Sequence, residues 1–126
     1  MTPDVERAIK ELKDSFEGHK IEVEEESQGG AYVIVHDLEI GSRYSPSKTW
    51  IGFMIGFQYP TADVYPHHIN GNVQRVDGQP LLNPFSKTTW RDKDVWRISR
   101  RTNKLDPLPE TATSKLFKII DWLRKQ

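Results

Sequence analysis

The eight residues Trp50-Ile51-Gly52-Phe53-Met54-Ile55-Gly56-Phe57 restrict the possible folds more than any other part of the chain. As a strand, the run puts Ile51, Phe53, Ile55 and Phe57 on one face and Trp50, Gly52, Met54 and Gly56 on the other. Both faces are apolar, so the run reads as a central strand covered on both sides. The two glycines leave space for something bulky on the second face, most simply a helix. Tyr59-Pro60 ends the strand, because proline donates no ladder hydrogen bond and restricts the residue before it. Tyr65-Pro66 follows shortly after. A proline-pinned, aromatic-lined loop beside a buried strand is expected, and that loop is the expected functional edge.

The remaining pattern is α+β. Val5, Ala8, Ile9, Leu12 and Phe16 are spaced as the apolar stripe of a helix over Asp4 to Glu17. Thr2 is placed to cap it, Pro3 to occupy its first turn and Gly18 to end it. Ile21 to Glu25 alternates as a half-buried strand, and Ala31 to Ile40 is a second, β-rich run after the Ser27-Gln28-Gly29-Gly30 turn. Gly41 to Lys48 is a polar loop. Three strands with short turns and no helix between them predict an antiparallel meander. Ile69, Val73 and Val76 are candidates for a fourth strand. Gln79 to Trp96 reads as a long irregular segment held by apolar anchors, and Val95 to Arg101 as a short extended piece. Asp106-Pro107 and Leu108-Pro109 interrupt the chain before a second helix over Thr111 to Lys125. Its buried face is expected to be Ala112, Leu116, Ile119, Ile120 and Leu123, with its basic residues toward the C-terminal end. One domain over residues 1–126 is expected.

Composition excludes several chemistries. No apolar run approaches the roughly 20 residues that span a bilayer. The charged N-terminus lacks an apolar signal core, so a cytoplasmic location is expected. There is no cysteine, which removes disulfides, thiolate metal sites and a thiol nucleophile. Net charge is zero, yet residues 1–66 carry 6 basic and 12 acidic side chains, while residues 67–126 carry 12 and 6. Such asymmetry either steers partners or is neutralised between the halves of the fold.

Three groups of residues are candidates for function. Tyr59, Pro60, Val64, Tyr65, Pro66, His67 and His68 form a candidate partner-binding edge, since aromatics and prolines give contact area at low entropic cost. The alternative is that the tyrosines pack beneath the loop. Trp90, Arg91, Arg97, Arg100 and Arg101, with Lys93, Trp96 and Lys104 nearby, interleave cations and aromatics as single-stranded nucleic-acid sites do. Asp92, Asp94 and Asp106 dilute that patch, and an acidic protein partner or a structural Trp pair are competing readings. His67 and His68 would point to opposite faces of a strand, so no shared metal and no cofactor is expected. A zinc site would need Asp63 or Asp77, and a His68–Asp77 base pair would need a geometry that spacing does not define.

The element order, with Phe57-Gln58-Tyr59-Pro60 closing the third strand and Pro66 shortly after, resembles the ubiquitin-conjugating enzyme (UBC-like) superfamily. His67-His68-Ile69-Asn70 stands where that family has a His-Pro-Asn segment, although here the proline precedes the histidines. Asp77-Gly78, Ser99-Arg100-Arg101 and the final Trp-containing helix resemble divergent bacterial members of ubiquitin-like conjugation systems. The resemblance implies an N-terminal helix, a four-stranded antiparallel meander, a long irregular segment and a C-terminal helix. In that family a cysteine forms a thioester. Its absence implies a non-catalytic member, or a member in which it has been substituted, with Ser86 as the position for a replacement. The implied partner is a ubiquitin-like protein, an activating enzyme or a catalytic UBC-like paralogue, in a hetero-oligomer.

Overall fold

A computed structural model describes residues 1–101 and 110–126. The expected breaks at Asp106-Pro107 and Leu108-Pro109, and Lys104 of the basic cluster, lie outside the described residues. Helix α1 spans Pro3–Ser15, and the Thr2 hydroxyl accepts a hydrogen bond from Val5 N at 3.2 Å. A cap of this kind is worth about 1 kcal/mol. Helix α2 spans Ala112–Arg124, with the Thr111 hydroxyl accepting from Ser114 N at 3.0 Å. Among the described residues no helix is long and apolar enough to cross a membrane.

The long strands are β1 (Ile21–Glu25), β2 (Ala31–Glu39), β4 (Lys48–Ile55), β5 (His67–Asn70), β7 (Phe85–Trp90) and β8 (Lys93–Ile98). They form one antiparallel sheet in the order β1-β2-β4-β5-β8-β7. Two short strands, β3 (Tyr44–Ser45) and β6 (Gln74–Arg75), pair separately. The expected meander is therefore present as β1-β2-β4-β5, and a hairpin extends it.

That hairpin corrects the expected irregular segment over Gln79 to Trp96. From Phe85 onward the chain is β-structure. Its turn uses Arg91 and Asp92, with φ of 52° and 65°. Two left-handed residues in a two-residue loop are what a tight hairpin requires. Neither is glycine, so the usual sequence signal was missing. The fourth strand also differs from expectation: it begins at His67, and Val73 and Val76 lie beyond it.

Both helices pack on one face of the sheet. Val5, Ala8, Ile9 and Leu12 of α1 meet Val33, Val35, Ile51, Phe53 and Ile55, with Leu116, Ile119, Ile120 and Leu123 of α2 in the same core. Register slips by one residue between Val35 and Leu38, where Asp37 takes a φ of 58°. This bulge returns Leu38 and Ile40 to the core side although they are out of step with Val33 and Val35. Phe57 lies beyond the end of β4 and is 47% exposed. Lys115, expected among the basic residues toward the C-terminal end of α2, lies in its first turn, where it is buried and pairs with Asp63 at 3.1 Å.

Candidate functional site

The opposite face of the sheet carries the candidate site. Partners across an antiparallel ladder share a face. Glu24, Tyr32 and Met54 therefore align, as do Ile34, Gly52, His68, Arg97 and Ser86. Among the described residues no helix covers this face. Its cover is Trp90, at the end of β7. A β-carbon on Gly52 would lie 2.4 Å from the Trp90 ring, so the expected bulky neighbour of the glycine is an indole. Trp90 stacks on His68 with ring centres 4.5 Å apart and planes 12° apart, and Trp50 lies 6.3 Å from it.

The turn after Trp90 closes the face across its width. Arg91 forms an ion pair with Glu24 of β1, and its guanidinium lies 3.7 Å from the centre of the Tyr32 ring. Between this strap and the loop before β5 lies a cleft of about 380 Å³. Tyr32, Met54, Tyr65, Pro66, His68, Trp90, Arg97 and Ser99 line it. Arg101 stands over the Tyr65 ring at 4.4 Å. Hydrogen bonding with Ser99, and then with Arg101, holds the Tyr65 hydroxyl below its ordinary pKa.

His68 forms the cleft floor. Burial lowers its pKa to about 4, against a partial offset from a hydrogen bond to Gly52 O. The ring is therefore neutral at pH 7. Arg97 Nε donates toward His68 Nε2 at 3.5 Å, so Nδ1 carries the proton and donates to Gly52 O at 3.3 Å.

His67 points the other way, into the core beneath α2. Its ring is tilted against Phe53 at 5.1 Å, and it is 0% exposed. Neither ring nitrogen finds a hydrogen-bond partner among the described residues. Burial, then the charge of Lys115, lowers its pKa to about 3. A neutral imidazole beside the Asp63–Lys115 pair is the arrangement that results.

The expected edge residues divide accordingly. Tyr59 is buried, and its hydroxyl accepts from Ala112 N at 3.1 Å, tying the loop to the start of α2. Val64 is buried, Pro60 is exposed, and Tyr65 and Pro66 form one wall of the cleft. Of the basic-aromatic group, Trp90, Arg91, Arg97 and Arg101 gather around the cleft. Arg100 faces the other side, over Trp122 at 4.7 Å. The His68–Asp77 pair does not form: Asp77 binds Arg75 at 3.2 Å and Gln79 N at 2.9 Å. Among the described residues no group of three or more His, Cys, Asp or Glu could hold a metal ion. Ser86 is exposed on β7, and among the described residues no side chain hydrogen-bonds it.

Tyr32, Met54 and Ser99 belong to the cleft but were not among the candidate site residues. Tyr32 carried a usable signal, as the aromatic residue facing away from Val33 in an alternating strand. The fold and site define an α+β protein with one helix-covered sheet face and one open face bearing an aromatic, arginine-lined cleft. Compared with family models, curated proteins and solved structures, the chain matches none.

Proposed function

We propose that this chain is a non-catalytic UBC-like protein that binds a protein partner in a bacterial ubiquitin-like conjugation system. One observation carries the reading. A Tyr59-Pro60 loop joins the third and fourth strands of an α1-led meander, and the fourth strand opens with His67-His68-Ile69-Asn70. That is the order the resemblance implies, with the loop tied to the C-terminal helix through Tyr59. The chain has no thiol, and among the described residues no base hydrogen-bonds Ser86. Binding is what remains for such a scaffold to do.

Pro60 of the expected edge is exposed, and the exposed Phe57 nearby, which was outside that expected group, extends the surface a partner would touch first. Calorimetry against a purified ubiquitin-like protein, its activating enzyme and a catalytic UBC-like paralogue tests the reading. A complex with one of them, weakened about ten-fold by Phe57→Ala, is expected. Binding to none removes the partner role. An adduct in the intact mass after incubation with activating enzyme and ATP removes the non-catalytic role.

A further inference from the structure

The cleft on the open face has a chemistry that the partner reading does not use. Trp90, Tyr32 and Tyr65 present aromatic surface within a space of about 380 Å³. That lies inside the range of about 300–1,000 Å³ typical of small-ligand sites. Two guanidinium groups are at hand: Arg97 lines the cleft, and Arg101 stands over the ring of Tyr65, which forms part of one wall. Among the described residues neither forms an ion pair with a carboxylate. Arg97 is only half-exposed and spends its Nε on a neutral imidazole. The nearby acid Glu24 is already paired with Arg91.

A half-buried guanidinium without a counter-charge loses hydration and gains little in return. Its planar fork matches a phosphate, which takes two parallel hydrogen bonds. Aromatic faces beside such a fork take a planar base, at about 1–3 kcal/mol per stacked ring. We propose that the cleft between Tyr32, Tyr65 and Trp90 binds one nucleotide unit, its base stacked among the rings and its phosphate held by Arg97 and Arg101. The site requires no metal and no catalytic group. The nucleotide is either free or part of a single strand, since both present the same base and phosphate. This assignment is independent of the protein-partner reading, and either can fail alone.

Calorimetry with the intact protein at low salt tests it, using adenosine and cytidine monophosphates, adenosine, inorganic phosphate and single-stranded pentanucleotides. One-to-one binding of a monophosphate is expected, with the nucleoside and phosphate each at least about ten-fold weaker. Arg97→Gln should weaken binding about ten-fold. Because Arg97 also contacts His68, Arg101→Ala provides the second variant; Arg101 is exposed, so losing its contact with Tyr65 should lower the melting temperature by no more than a few degrees. A monophosphate that matches the pentanucleotide supports a free nucleotide. A pentanucleotide that outbinds it, with affinity falling steeply in salt, supports a strand. No saturable binding of any nucleotide up to millimolar concentration overturns the proposal. So does binding that both arginine variants leave unchanged.

Discussion

Trp90 occupies the space that a side chain on Gly52 would need, with 2.4 Å between the ring and an added β-carbon. The two residues are on strands separated by β5 and β8, so the contact reaches over the sheet. Gly52→Ala must therefore push the indole off His68. A loss of about 1–3 kcal/mol in stability is expected, as for other overpacked sites. Denaturant unfolding measures it, and a red-shifted tryptophan emission should accompany it. An unchanged midpoint and spectrum would mean that Trp90 does not rest on this glycine.

Acid should destabilise the protein before its carboxylates titrate. His67 and His68 have folded pKa values near 3 and 4, below the ordinary 6.5. The unfolded chain therefore binds more protons as pH falls below about 6.5, and stability drops by up to about 1.4 kcal/mol per pH unit for each ring. Urea unfolding at pH 7, 6 and 5 should show this slope, and His67→Leu should reduce it. A His67→Leu slope equal to the wild-type slope rules out the buried ring as its source.

The Tyr59 hydroxyl accepts the Ala112 amide at the first turn of α2. Tyr59→Phe leaves that amide without its partner while keeping the ring. A cost of about 0.5–1.5 kcal/mol is expected. Hydrogen exchange should quicken at the start of α2 and not at its end, where Tyr44 binds Leu123 O at 2.8 Å. Uniform exchange along α2 would contradict a local tether.

At the hairpin turn, Asp92 holds a left-handed conformation that costs a side chain energy. Asp92→Gly relieves it and should stabilise the protein by about 0.5–1 kcal/mol. A thermal melt reads the gain. A lower melting temperature would show that the Asp92 side chain contributes more than its backbone costs.

Much of the helix-covered half was legible in the sequence, because period and capping chemistry agree there. Thr2, Pro3 and the Val5-to-Leu12 stripe specify α1 locally, and Val33 and Val35 specify β2. The open face was hard to read for the opposite reason. Its pieces are single residues from five strands, brought together by register. Tyr32 and Trp90 lie 58 positions apart. The β7–β8 hairpin carries polar residues on both faces and turns on Arg91-Asp92, so neither alternation nor a glycine marked it. The basic-aromatic group was visible as composition, but only the fold separates Arg100 from its neighbours.

The sheet also works as a partition. Ile34 and Val95 are buried on the open side, outside the core that the helices build. The core under the helices is thus backed by a second face that carries the cleft and buries these two residues separately, Ile34 in register with Gly52 and Val95 with Asn70. Sequence change among the lining residues on that side, such as Met54 and Ser99, can alter what the cleft accepts while the core under the helices continues to hold the fold. For a scaffold of this size, that separates the freedom to acquire a new ligand from the requirement to remain folded.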